Sequence, residues 1–128
     1  YIQGYGLKSG AVATSISHDS HNIIVVGTNS ADMAAAANHI VEHHGGIVVM
    51  ENGEVKGEVV LEIAGIMSDR PLTEINTELE TAKTAAFDLG VSRGIDPFMT
   101  LSFMALPVIP KLRITTRGVI DVETQQYV

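Results

Sequence analysis

The chain has 128 residues, 45% of them hydrophobic, and no cysteine. That is the size of one ordinary domain, with enough apolar mass for a core and no thiols for disulfides or a cysteine metal site. Eight Lys and Arg against fifteen Asp and Glu give a net charge of −7 with no basic cluster, which argues against nucleic acid as a partner.

The opening Tyr1-Ile2-Gln3-Gly4-Tyr5-Gly6 lacks the charged start and apolar middle of a signal peptide. No apolar run approaches the roughly 20 residues that cross a bilayer, so no membrane span is expected. A chain without cysteine fits a cytoplasmic setting. No repeat or internal linker divides it, so residues 1–128 read as one domain, with residues 1–9 expected to be a residual connection to something preceding it.

Ala11 to Ile16 and Asn22 to Gly27 are rich in β-branched residues and predict two strands. After Gly27, Thr28-Asn29-Ser30 supplies N-cap chemistry, with Asp32 placed to accept from first-turn amides. A helix follows from about Ser30 to His44, with Met33, Ala36, Ala37, Ile40 and Val41 as its inner stripe and Gly45-Gly46 as its stop. Ile47 to Glu51 and Glu54 to Leu61 flank Asn52-Gly53, the strongest short signal for a type I′ hairpin. The first arm is apolar on both faces and predicts a central strand; Glu54, Lys56 and Glu58 alternate on the second, which predicts one wet face.

A second helix is expected from Pro71 to Leu89, with Leu72, Ile75, Leu79, Ala82, Ala86 and Leu89 on its apolar stripe and Gly90 after it. Asp96-Pro97 is a helix-start signature, yet periodicity alone leaves residues 98–106 open between helix and buried strand. Pro107 and Pro110 are expected to bracket an extended piece, and Arg113 to Val122 reads as a turn leading into a final strand. The order of elements predicts an α+β fold, a mainly antiparallel or mixed sheet with helices packed on it.

The densest polar group is His18-Asp19-Ser20-His21-Asn22, between the first two strands. Two imidazoles, a carboxylate, a hydroxyl and an amide can bind a polar ligand or move protons. The plain alternative is a hydrogen-bonded turn. His18, Asp19 and His21 lack any evident residue to complete a metal shell.

His39 and His43 are four apart on one helix face, the spacing of a two-histidine clamp, but position 40 is Ile where a metalloprotease helix needs Glu. The simpler reading is a solvated face and a histidine near the negative helix end. Gly27 to Ser30 matches no P-loop or dinucleotide fingerprint and reads as a cap. Ser68 and Asp69 precede the second helix and either cap it or contact a substrate. Met67, Phe98, Met99, Phe103 and Met104 read as core, or as a face toward a partner domain. No nucleophile with a matched base is recognisable, and the cysteines of the cytidine-deaminase zinc signature are missing.

Several stretches nevertheless resemble one family. They are His18-Asp19-Ser20-His21-Asn22-Ile23 running into Val25-Val26-Gly27-Thr28; the hairpin Gly45-Gly46-Ile47-Val48-Val49 to Gly53; Ile63-Ala64-Gly65-Ile66-Met67-Ser68; and Asp96-Pro97-Phe98-Met99-Thr100-Leu101-Ser102-Phe103 followed by Ala105-Leu106-Pro107-Val108-Ile109-Pro110. In that order they are similar to the C-terminal domain of adenine deaminases of the amidohydrolase superfamily, over nearly the whole chain.

The resemblance implies an accessory domain of an enzyme that hydrolyses adenine to hypoxanthine and ammonia with manganese or iron in a (β/α)₈ barrel. The barrel's metal motif, two histidines separated by one residue, is not in this sequence, so the fragment alone is expected to be inactive, with no catalytic residue or metal ligand of its own. His18, Asp19, Ser20, His21 and Asn22 become candidate supporting residues at the barrel mouth, with Ser68 and Asp69 as candidate substrate contacts. The expected partners are the protein's own barrel, adenine, and further copies in a homo-oligomer. The competing readings are a purely structural or assembly module and a free-standing purine-binding domain; the latter ranks last because no aromatic stacking platform is evident.

Overall fold

The two β-branched runs form β1 (Ala11–Thr14) and β2 (Ile24–Gly27) in the computed structural model, which describes residues 2–128. Each is two residues shorter than expected at the end facing the polar loop. The Ile16 amide turns back to Thr14 Oγ1 (3.0 Å) and Ser15 bonds to Gly46 and Gly65, which takes both residues out of the β1–β2 ladder. The hairpin arms are β3 (Gly46–Glu51) and β4 (Glu54–Val60). Asn52 and Gly53 adopt φ of 54° and 75°, the left-handed pair that a type I′ turn requires.

The sheet runs in the order β2-β1-β3-β4, antiparallel throughout. β3 is interior and buried along nearly its whole length, as its apolar character on both faces demands. On β4 the alternation sends Val59 into the core, while Glu58, opposite Val48, faces the other side.

One helix covers each face. α1 (Ser30–Glu42) sets Ala36 and Ile40 against Ala11, Ala13, Val48 and Met50. α2 (Leu72–Asp88) sets Ala82 and Ala86, with Leu89 just beyond, against Val12, Val49 and Val59. The helix sits close at one point: a Cβ on Gly57 would lie 2.7 Å from the Ala82 Cα, so only glycine fits there. Two stripe expectations fail at helix ends. Val41 is 61% exposed, because it lies one residue round from Ile40 and past the sheet. Leu72 is 81% exposed, because the α2 stripe reaches the core only from Ile75 onward.

Asn29 caps α1 as expected, its side chain accepting from the Asp32 amide at 2.8 Å. Asp32 does not serve first-turn amides. Its carboxylate accepts from Asn29 Nδ2 (2.8 Å) and from the Gly53 amide (2.9 Å), tying the helix start to the hairpin turn. Those bonds, the Asn29 one foremost, hold its carboxyl below the ordinary range.

Residues 98–102 are helical and 103–106 are not, and no part of 98–106 is strand. Asp96 Oδ1 accepts from the Phe98 and Met99 amides (3.0 and 2.9 Å) and starts α3 (Pro97–Ser102), whose Phe98 and Leu101 complete the α2-side core. Tyr5 is buried in the same core and donates to the Pro97 carbonyl (3.0 Å); burial, then the Asp96 charge, pushes its phenol above its usual range. The piece between Pro107 and Pro110 is not extended but coiled, with Leu106 bonded to Phe103 and Ile109 to Leu106.

The chain end is also more than a turn and one strand. β5 (Leu112–Thr115), β6 (Gly118–Asp121) and β7 (Gln126–Tyr127) form a second antiparallel sheet. The turn is confined to Thr116-Arg117, where the Thr115 hydroxyl accepts from the Arg117 amide and donates to the Gly118 carbonyl. The result is an α+β fold, and among the described residues no helix is long and apolar enough to cross a membrane.

Candidate functional site

β1 delivers the chain into the polar loop through Ser15, which knots three segments together. Its amide donates to the Gly46 carbonyl (2.9 Å), its hydroxyl accepts from the Gly46 amide (2.8 Å), and the same hydroxyl donates to the Gly65 carbonyl (2.5 Å). The approach is so tight that a Cβ on Gly45 would lie 2.3 Å from the Gly65 Cα. The start of the 17–23 loop, the Gly45-Gly46 stop and the Ile63–Met67 turn therefore gather at one end of the main sheet.

The loop's backbone is fixed while its side chains face outward. Ser17 is buried, its hydroxyl 3.0 Å from the Ser20 hydroxyl, and its carbonyl accepts from the His21 amide (2.8 Å). The His18 amide donates to the Ser102 carbonyl at the end of α3 (2.8 Å), and the His18 ring lies 5.9 Å from that of Phe103. His18 Nδ1 is 3.3 Å from Asp19 Oδ1. Both are exposed, so this contact orients the ring more than it stabilises the fold. His18, Asp19, Ser20, His21 and Asn22 are all exposed. The loop is a turn closed by the His21-to-Ser17 backbone bond, with Ser20 bonded to Ser17 and Asp19 to His18 rather than to backbone groups.

Ser68 and Asp69 lie at the same end of the fold, beyond the Gly65 turn, but among the described residues no hydrogen bond joins them to residues 18–22. Neither caps α2, whose cap position is Pro71, with no side-chain cap bond. The Ser68 hydroxyl is committed, donating to Glu62 (3.1 Å) and accepting from Arg70. The Arg70 guanidinium in turn forms a two-pronged pair with Glu78 (2.6 and 2.7 Å) and holds that carboxyl low. Asp69 is exposed.

An apolar rim is carried by the loop's own end and by the two segments tied to it, the Gly65 turn through Ser15 and α3 through the Ser102 carbonyl. Ile23, Ile63, Ile66 and Met67 are 39%, 42%, 38% and 52% exposed, and Met99 on α3 is 58% exposed. Of the residues expected in the core, Phe98 is there, Phe103 and Met104 are half-buried, and Met67 and Met99 face outward. Phe98 and Leu101 use up the inner side of α3, which leaves Met99 the outer one.

The loop does not converge as a metal shell. Among the described residues the one set of three histidine, aspartate or glutamate side chains with mutually close ligand atoms is His39, His43 and Glu58. His39 is half-buried and bonded to Glu58, so the expected solvated face is incomplete as a description. Glu58 carried no sequence signal as a partner, because only the packing of α1 on the sheet brings it there.

A family model described as the adenine deaminase C-terminal domain matches residues 1–126. The adenine deaminase of Bacillus subtilis (strain 168) is 49% identical over 127 residues, covering 99% of this chain and 22% of that protein. That of Nitratidesulfovibrio vulgaris (strain Hildenborough) is 50% identical over 127 residues, 98% of this chain and 22% of that protein. That of Gluconobacter oxydans (strain 621H) is 48% identical over 128 residues, again 22% of its length. The chain thus spans about a fifth of the length of the curated relatives it matches.

Proposed function

The chain belongs to the adenine deaminase C-terminal domain family, and from that premise we propose that it is the accessory domain of a cytoplasmic, metal-dependent adenine deaminase. In this reading the rest of the protein is a catalytic barrel, and the 18–22 loop helps to close its mouth over adenine. The supporting observation is the pairing of an outward-facing polar loop on a fixed backbone with an apolar rim at the same end of the sheet. An isolated domain gains nothing by exposing such a rim; a domain docked by it buries the rim and brings the loop to a neighbouring cavity.

The reaction replaces the exocyclic amine of adenine by oxygen from water and releases ammonia. Manganese or iron in the barrel would supply a bound water acidic enough to act near neutral pH. None of its ligands is assigned here, since residues 18–22 do not form a converging ligand set. The chain's own contribution is to orient and to exclude water. Asp19 steadies His18, His18 or His21 passes a proton at the pocket edge, and the Ser20 hydroxyl and Asn22 amide offer hydrogen bonds to a polar heterocycle. Asp69, exposed beside the committed Ser68, is a further candidate contact with substrate; Ser68 serves it by fixing the turn.

The test is steady-state kinetics of His18→Ala and His21→Ala in the full-length protein. Turnover falls by about 100-fold, the lower edge of what a positioned acid–base group contributes, with the melting temperature unchanged. Wild-type kinetics in both variants would remove the loop from the reaction. The 128-residue chain supplied with manganese or iron releases no ammonia from adenine.

The same exposed side chains favour a second reading, a packing or homo-oligomer module with an incidental loop. In that case Met67→Ser and Met99→Ser change assembly state while the histidine variants stay active.

A further inference from the structure

His39 projects from the last turn of α1 and His43 is the residue that caps its C-terminal end, while Glu58 reaches toward them from β4, an edge strand of the main sheet. Each of the three offers a ligand atom within 4.8 Å of the other two. His39 Nε2 is 2.6 Å from Glu58 Oε2, and the two imidazole rings lie side by side with centroids 4.2 Å apart. We propose that His39, His43 and Glu58 bind one first-row divalent cation of the zinc class, which latches the C-terminal end of α1 to the sheet edge.

Four observations carry this. Two histidines at i and i+4 share a helix face at the spacing that clamps zinc, and a carboxylate from outside the helix supplies the third ligand, a His₂Glu set. Second, His43 Nδ1 lies 2.9 Å from the His39 carbonyl. A carbonyl only accepts, so Nδ1 carries the proton and the neutral ring keeps its lone pair on Nε2. A backbone carbonyl fixing the tautomer of a ligating histidine is the usual support around a bound metal.

Third, the cluster sits at the helix end where the backbone dipole is negative, which favours a cation and disfavours a lone carboxylate. Fourth, the nearest lysine on β4 is otherwise occupied. Lys56 Nζ is held by Glu54 at 2.8 Å, which leaves His39 as the partner of Glu58 among the described residues.

The present bond between His39 and Glu58 is shorter than the separation of two ligands on one ion. At about 2.0–2.1 Å per bond and near-tetrahedral angles, ligand atoms stand roughly 3.3 Å apart. A small rotation of the half-exposed Glu58 side chain provides this. Binding requires the His39 Nε2 lone pair to face the ion, so the neutral ring then carries its proton on Nδ1. With three protein ligands the fourth position is left to water. The site is separate from the 18–22 loop and does not depend on its role.

The experiment uses the full-length protein that carries this domain, stripped with a chelator and titrated with Zn²⁺ or Co²⁺ alone. Metal content is compared for wild type, Glu58→Gln, and His39→Gln/His43→Gln. Wild type takes up one more equivalent per chain than the double variant, and Glu58→Gln binds that equivalent at least tenfold more weakly. The Co²⁺ difference spectrum shows the d–d bands of a nitrogen- and oxygen-ligated ion. Glu58→Gln keeps side-chain volume and a hydrogen bond to His39, so it serves if the double variant fails to fold. Equal stoichiometry and affinity in wild type and Glu58→Gln overturn the proposal and leave the cluster as a helix-to-strand hydrogen bond.

Discussion

Leu101 and Met99 stand two residues apart on α3 and face opposite ways, which makes the short helix a test of where this domain ends and a docking face begins. Leu101 is fully buried against the α2-side core; Met99 is 58% exposed. Leu101→Ala removes three buried carbons, about 2.4 kcal/mol at ~0.8 kcal/mol per methylene. The residual cavity raises the expected loss to about 3–4 kcal/mol, inside the usual range for such truncations. For a domain of this size that lowers the melting temperature by about 10–15 °C. Met99→Ala costs no more than about 0.5 kcal/mol in the same chain. Urea unfolding followed by circular dichroism gives both values, provided the slope with denaturant is unchanged. A loss below about 1 kcal/mol for Leu101→Ala, or equal losses for the two variants, would refute the packing of α3 described above. Because the Ser102 carbonyl holds the His18 amide, Leu101→Ala also loosens the polar loop, visible as faster amide exchange at His18.

Three further outcomes follow from single contacts. Gly57→Ala pushes a Cβ into the α2 backbone at Ala82 and destabilises by about 1–3 kcal/mol, measured by thermal melting; a neutral result would mean that α2 stands further from the sheet. Asp96→Ala leaves the Phe98 and Met99 amides without their acceptor and costs about 1 kcal/mol, whereas Asp96→Asn retains most of it. Asp32 has a folded-state pKa below its unfolded one, so its contribution is present above the unfolded carboxyl pKa and lost as pH falls through the lower folded value. Asp32→Asn accordingly flattens the acid limb of a stability–pH profile taken from about pH 6 downward, across the ordinary carboxyl pKa; an unchanged limb would place the acid sensitivity elsewhere.

Much of this molecule is written locally. Asn52-Gly53 specifies its hairpin because few residue pairs accept two left-handed conformations, and Thr28-Asn29-Ser30 caps α1 because a short polar side chain there reaches a first-turn amide. The polar loop is visible as five consecutive polar residues between apolar strands, and the ordered blocks that resemble the family agree with a family match over residues 1–126. Local signals also had limits. Residues 98–106 fit helix and strand equally well by periodicity. The helix, which ends at Ser102, rests on the Asp96 cap together with the burial of Phe98 and Leu101 against other elements.

Tertiary structure alone decided the rest. Val41 and Leu72 obey the helical spacing yet lie outside the core, because a stripe is buried only as far as the opposing sheet extends. Asp32 reads as a first-turn acceptor until the hairpin turn arrives at its other oxygen, and Glu58 reads as a solvent-facing charge until α1 sets His39 beside it. Sequence fixes a residue's chemistry and its local periodicity. Which groups become partners across 19 or 21 positions depends on how helices and strands pack, and that information is carried by the whole core at once.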